Sequence, residues 1–504
     1  MKPTRFLFQA RSAVLGFWTS CPLFLGILVF PSMGTAQCFV ERMEMTGTST
    51  LHMRGKAVSI SGDLAAVGQP SFDTNENASV VLYRQREGGG RQWDIVRTYP
   101  DKFPFGQAVL VEEHPNGSLL IIGDPSVNDN SHGQVAVYRG PSWDQAAHLS
   151  SSRSQQGDNF GTSLGYYGDI AAVGSPDATN HGVVTLFSES SDWAEIGILE
   201  PNQAENGERS GAAVDIHADF VVVGAPGASA GDGKIYFFKR LMQGGWSELQ
   251  QFSGIAGAAL GSSVAFSDGG QFAFVGAPQQ EEPGGGVDTG AVLVFEQQGG
   301  WWNLLTTLYP STPADGAEFG ASIATRGDSL LIGAPAYDTT GAAFVWRSNQ
   351  GEITQLNLGN HSGSRFGAAV SVFGDQYLIG APGVFNEGKA LMFLELNGFT
   401  VLGPDPAIAG INNTISAVCT WPGSQVIFYY SPQPGTTPLN LQACPDLHLS
   451  LDQAVALGLD DADSQGIATL GASTPPSLTG VTLSFQAVDL THCQVSNRVQ
   501  VQFQ

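Results

Sequence analysis

From residue 54 onward, apolar and polar positions follow one short grammar again and again. An alternating run such as "FGASIATR" from Phe319 reads as a strand with one buried face. Gly327-Asp328 then reverses the chain, and an apolar run from Leu330 to Ile332 enters "GAP". A polar loop leads to a third apolar run, here "AAFVWR". In most copies a Trp then opens a fourth segment: Trp93, Trp143, Trp193, Trp246 and the pair Trp301-Trp302. The pattern predicts four antiparallel strands per copy and an all-β chain.

Seven copies share this grammar. They begin "RGKAVSISGDLAAVGQP" at Arg54, "FGQAVLVEEHPNGSLLIIGDP" at Phe105, "FGTSLGYYGDIAAVGSP" at Phe160 and "SGAAVDIHADFVVVGAP" at Ser210. They continue as "LGSSVAFSDGGQFAFVGAP" at Leu260, "FGASIATRGDSLLIGAP" at Phe319 and "FGAAVSVFGDQYLIGAP" at Phe366. The Gly opening each "GAP"-like element falls at 68, 123, 174, 224, 276, 333 and 380, so the period is 47 to 57 residues. Four strands at such a period make one blade of a β-propeller, and seven blades close a ring. A four-stranded blade cannot bury both faces alone; stacking on its neighbours does so, and closing the ring covers its edges. Glycines in "FG" and "GAP" permit close backbone approach near the axis, Pro ends the strand because it has no amide donor, and Trp supplies apolar area on the wide outer strand.

The pair "FG…GAP", repeated over residues 54 to about 399, resembles the FG-GAP repeats of the integrin α-subunit β-propeller and its secreted bacterial relatives. The resemblance implies a seven-bladed propeller whose ligand-binding face carries the loops after "GAP". One departure matters. Integrin-type repeats often hold a calcium loop between their first two strands, and here that loop is a turn: Gly62-Asp63, Gly168-Asp169, Ala218-Asp219, Gly327-Asp328 and Gly374-Asp375. So short a turn cannot offer the six or more oxygens that calcium takes, and no cofactor is expected. Asp73-x-Asn75-x-Asn77 has calcium-like spacing but is followed by Ala78 instead of Gly; Asp461-x-Asp463-x-Gln465-Gly466 is closer and is expected to be a hairpin turn.

Outside the repeats, residues 1–36 read as a secretory signal peptide: Lys2, Arg5 and Arg11, then an apolar stretch from Ala13 to Phe30, then Gly34-Thr35-Ala36 as the cleavage site. An uncleaved anchor is the alternative, and no later stretch approaches a membrane-spanning length. Removal of the leader leaves 19 Lys and Arg against 46 Asp and Glu, a net charge of −27, which repels nucleic acid and anionic membrane. The propeller is expected over 37–403. Its last blade needs an outer strand, which either Phe39 to Met45 or Phe399 to Leu402 can supply. From 404 to 504 the "FG…GAP" phrase stops, and alternating runs such as "QVIFYYS", "VTLSFQAVD" and "RVQVQFQ" predict a small C-terminal β-sandwich similar to C-terminal modules of secreted bacterial proteins. Four cysteines remain after the leader, Cys38, Cys419, Cys444 and Cys493, an even count that suits an oxidising compartment. Three pairings are possible; Cys444 with Cys493 is the first choice, which leaves Cys38 with Cys419.

Candidate chemistry is sparse. Nine histidines are scattered, with no HExxH, CxxC, P-loop or GxSxG pattern. His132 and His181 occupy equivalent loops, where solvated turn residues are the ordinary reading. Every copy places an acid in the loop after "GAP": Asp73, Asp129, Asp177, Asp232, Asp288 (with Glu281 and Glu282), Asp338 and Glu387. These seven are the candidate ligand-binding set, weighed against the fact that Asp, Asn and Gly are common loop residues. The tripeptide Arg326-Gly327-Asp328 has the composition that integrins read. It occupies the slot of Gly62-Asp63 and Gly168-Asp169, so the hairpin dictates Gly-Asp and the arginine is expected to be incidental.

Two function classes follow. The first is a secreted or cell-surface, non-catalytic, monomeric protein that binds an extracellular protein or glycan through the loop face. The second is a lyase-like propeller enzyme acting on polysaccharide from the central funnel, a class the resemblance implies because some FG-GAP-like propellers belong to polysaccharide lyases. A lyase wants a base converging with a cation. The loops after "GAP" offer mostly acids, with Lys234 and Lys389 near two of them.

Overall fold

Each copy folds as its polarity pattern requires. In the sixth, Ser322–Arg326 pairs antiparallel with Ser329–Ala334, Arg326 facing Ser329 across a two-residue turn. Ala342–Arg347 and Ile353–Leu356 complete a four-stranded sheet. The computed structural model describes residues 37–504 apart from 46–53, 71–77, 87–92, 102–104, 115, 126–131, 284–287, 349–352, 357–361, 385–387, 440, 442–443, 445–446 and 464–465. The segment read as a signal peptide therefore lies outside the described residues.

Among the described residues seven such sheets occur, each ordered A, B, C, D from the axis outward. Their innermost strands are Ala57–Ser61, Ala108–Glu112, Ser163–Tyr167, Ala213–His217, Ser263–Phe266, Ser322–Arg326 and Ala369–Phe373, which define blades 1 to 7. Each strand A touches strand A of the next blade, and that of blade 7 touches that of blade 1, so the circuit closes as a β-propeller. Blade 7 takes its outer strand from Gln37–Met45, which pairs with Lys389–Asn397 so that Met45 faces Ala390. Of the two candidates for that slot the N-terminal one fills it; the other, within Thr400–Asp405, pairs instead with Asn412–Val418. Strand membership thus changes between Asn397 and Thr400, a few residues before the break in composition.

The core lies between blades. Trp302 of blade 5, fully buried, stacks on Phe237 of blade 4 at 4.7 Å, and Trp93, Trp143 and Trp193 pack against the preceding blade in the same way. Near the axis the packing is backbone on backbone. A methyl group on Gly224 would lie 2.0 Å from the carbonyl oxygen of Gly261 in the next blade, which explains the glycine of "GAP". Ser163, Ser263 and Ser322 then seal the seam by donating to the carbonyls of Gly211, Gly320 and Gly367 at 2.7 to 2.8 Å. Strand D of blades 1 to 5 carries a register shift against strand C, leaving one extra residue such as Leu305 in blade 5. A bulge of this kind twists an outer strand and makes it a poor template for edge-to-edge pairing.

Beyond the ring, a three-stranded sheet of Thr400–Asp405, Asn412–Val418 and Ala468–Ser473 faces a larger sheet built on Val455–Asp461, Gln425–Ser431 and Thr482–Asp489. Ile415, Val426, Phe428 and Phe485 form the core between them. Cys444 and Cys493 are bonded as expected, with Cα atoms 5.4 Å apart. Cys419 is also disulfide-bonded. It packs beside Leu396, the residue opposite Cys38 in the blade 7 ladder, while the Cys38 side chain is outside the described residues. The stretch from Asp461 to Gly466 is not the expected hairpin: it crosses from the larger sheet to the smaller one. Asp463 serves the crossing by accepting the Ile467 amide at 3.0 Å. Among the described residues no helix is long and apolar enough to cross a membrane.

Candidate functional site

The loops after strand B and the loops entering strand A meet on one face of the ring, through bridges such as Gly233 to Leu260 and Gly341 to Phe366. Of the seven acids expected there, Asp73, Asp129 and Glu387 lie outside the described residues. Asp177 is engaged: its carboxylate accepts the Asn159 side-chain amide and stands 3.4 Å from the Arg209 guanidinium. Asp232 accepts the Gly257 amide at 2.9 Å and fixes the loop that enters blade 5. Asp288 and Asp338, in neighbouring blades 5 and 6, differ. Both are exposed turn residues with φ of +54° and +49°, a conformation that Asp tolerates better than most residues. Among the described residues neither makes a hydrogen bond or ion pair.

Other acids on this face tie blades together, and sequence reasoning missed them. Glu205 pairs with Lys234 and accepts the Ser229 amide at 3.0 Å; the lysine hydrogen bond holds its pKa below the usual value. Burial would raise the Glu200 carboxyl, but hydrogen bonds from Arg153 at 2.9 Å and His181 at 3.0 Å outweigh it and leave the pKa low. His181 thus belongs to a hydrogen-bonded cluster, and His132 contacts the Ser154 carbonyl at 3.0 Å. Glu208 is fully buried beneath the loops, accepting from Glu205 N and Tyr236 Oη, and burial raises its pKa. The signal for these ties was present as acids and arginines just before "FG", but their partners lie one loop away in sequence.

The opposite face carries the A–B hairpins. Gly62, Gly168, Gly327 and Gly374 have φ between +58° and +68° at the first turn position, the geometry for which glycine is suited. Ala218 holds the same position at +51° without that freedom. Arg326 is not incidental. Its guanidinium lies 4.4 Å from the centre of the Phe373 ring in blade 7 and its Nε 3.5 Å from Asp268 of blade 5, which also accepts the Gly327 amide at 2.9 Å. The tripeptide is therefore an inter-blade clamp.

Between these hairpins the axis opens into a cavity of about 550 Å3 lined by strand A of all seven blades. Short side chains cap the free amides of the inner strands. Ser371 accepts Ile60 N, Ser59 accepts Val111 N, and Asp215 accepts both Phe266 N at 2.7 Å and Ile216 N at 2.8 Å. Burial pushes the Asp215 pKa up to about 6. Burial likewise raises Glu112, with Arg326 acting in the opposite sense. Tyr167 leans on His217 at 4.4 Å, whose Nε2 meets the Asp268 carbonyl at 2.9 Å.

Residues 302–346 match the FG-GAP repeat family. The matched segment runs from the outer strand of blade 5 through strand C of blade 6, so the sequence repeat is offset from the blade. No curated protein matches the chain. Among solved structures it is similar to the β-propeller domain of the Trilobed protease from Pyrococcus furiosus, with 12% identity over 69% of this chain and 97% of that one and a TM-score of 0.45. The chain carries FG-GAP repeat sequence and folds as an all-β protein of repeated four-stranded sheets.

Proposed function

We propose that this is a non-catalytic binding protein of the cell exterior, which holds a protein or glycan on the face formed by the loops after strand B. The observation that carries the reading is the contrast among the acids of that face. Asp177 and Asp232 are committed to neighbouring loops, whereas Asp288 and Asp338 stand exposed side by side in sequence order of blades, with no partner among the described residues. Exposed loop carboxylates on a ring of packed blades suit recognition of hydroxyl, amide or ammonium donors. A disulfide in the C-terminal sandwich supports an oxidising compartment.

The polysaccharide enzyme is the competing reading. Its strongest support is the cavity on the axis, where Glu112, Asp215, His217 and Arg326 gather. Asp215, His217 and Arg326 each also hold a neighbouring blade, which favours sealing over turnover. A screen of the protein against arrays of glycans and extracellular proteins tests both. Saturable binding that falls at least about tenfold in the double variant Asp288→Ala, Asp338→Ala supports the loop face. Binding unchanged in that variant refutes the site, and depolymerisation of a polysaccharide on the array refutes the non-catalytic reading.

A further inference from the structure

The C-terminal sandwich is packed at one end and open at the other. At the end where the chain crosses between sheets, Val426, Ala462, Ala468 and Ala487 are buried. At the far end the two sheets enclose a cavity of about 690 Å3, with Ile415 on one sheet, Leu457 on the other and Phe485 and Phe503 among its lining. Tyr430 and Leu457 there are only partly buried, and Val455 is 49% exposed. The cavity's floor of Ile415, Phe485 and Phe503 belongs to the packed core, while Tyr430, Leu457 and Val455 border a mouth open to solvent, so the cleft offers apolar surface with room for a guest. A cavity of this size and lining falls in the range of small-molecule pockets.

The polar groups at its rim are satisfied within the chain. Asn413 donates to the carbonyls of Ile408 and Ile411 and to Thr474, and Ser431 donates to the carbonyls of Asp452 and Gln433. One charged side chain lines the cavity, Asp452. It is exposed, and its carboxylate makes no hydrogen bond or ion pair among the described residues. The whole chain carries a net charge of −24, so an anionic guest is repelled at long range as well as at the mouth.

We propose that this cavity binds an amphiphile with an apolar tail and a cationic head, the tail lying between the sheets and the head facing Asp452. The proposal stands independently of the propeller's ligand. Calorimetric titration of the full protein with decylammonium, decanol and decanoate, each below its micelle concentration, tests it. Decylammonium is expected to bind saturably at one site, with decanoate at least about tenfold weaker. Asp452→Asn lowers decylammonium affinity about fivefold, to that of decanol, and leaves decanol unchanged. Val455→Trp, at a half-exposed position with room for a larger side chain, blocks all three guests, and its unfolding temperature reports whether the fold survives. The proposal is overturned by the absence of saturable binding with any of the three. Equal affinities for decanoate and decylammonium, or a sedimenting dimer that Val455→Trp dissociates, overturn it too; the dimer assigns the cavity to a second copy.

Discussion

The two ends of the propeller place their ties differently. At the hairpin end the ties surround the axial cavity: Ser59, Ser371 and Asp215 cap inner-strand amides, and Asp268 holds both Arg326 and the turn that follows it. At the loop end they run from loop to loop: Glu200 meets Arg153 and His181, Arg365 meets Glu318 at 3.3 Å, and Asp232 accepts the Gly257 amide. Backbone geometry repeats from blade to blade, so the inner strands are constrained to a few residue types. Loops tolerate changes of sequence better than the strands they join, which suits the loop end to recognition.

The sharpest way to break the ring lies at the axis. Gly224→Ala sets a methyl 2.0 Å from the Gly261 carbonyl, and neither backbone can yield without opening the seam between blades 4 and 5. A loss of about 3 kcal/mol in urea-induced unfolding is expected. The second effect is electrostatic and is expected from Asp215 at the hairpin end. Asp215 has its pKa raised from 3.8 to about 6 by burial. The folded state thus holds the proton more tightly than the unfolded one. The associated stability is present below about pH 4 and is lost as pH rises through about 6, a change of about 2 to 3 kcal/mol. Asp215→Asn removes that slope; unfolding curves of both proteins at pH 4, 5, 6 and 7 check it, and parallel pH profiles would show that Asp215 does not titrate there.

Those two residues also mark what the sequence could disclose. Gly224 was legible because close backbone approach admits one residue type, and the demand recurs at the same place in seven copies. The two-residue hairpins were legible because a positive φ at the first turn position favours glycine. Asp215 was not, because its role depends on the Phe266 amide of the next blade, 51 residues away. The clasp was half legible. Both candidate segments alternate, and the outcome turns on whether Lys389–Asn397 or the C-terminal sheet offers the better partner, a long-range competition that local pattern does not encode. The same limit applies to the candidate site. Asp177, Asp232, Asp288 and Asp338 look equivalent as loop acids, and only the positions of Asn159, Arg209 and Gly257 separate the engaged pair from the free one.

Smaller effects sharpen the contrast between the ends. Ala218 is the non-glycine at a turn position where its φ is +51°, so Ala218→Gly is expected to stabilise the protein by about 1 kcal/mol, visible as a higher thermal midpoint. On the loop face Ala230 and Ala259 belong to the same class, with φ of +61° and +53°. There, Asp288→Ala and Asp338→Ala remove exposed carboxylates that have no partner among the described residues, and placing Ala at φ of +54° and +49° is expected to cost each variant no more than about 1 kcal/mol in urea-induced unfolding.

The claim that recognition belongs to the loop end and sealing to the hairpin end is tested most directly by one affinity comparison. A ligand found on the arrays is titrated against the wild type, the Asp288→Ala, Asp338→Ala variant, and a Tyr167→Ala, His217→Ala variant that strips the mouth of the axial cavity. The account predicts a loss of at least about tenfold for the first variant and an unchanged affinity for the second. The reverse pattern, with affinity lost only at Tyr167 and His217, would contradict it and move the site to the axis.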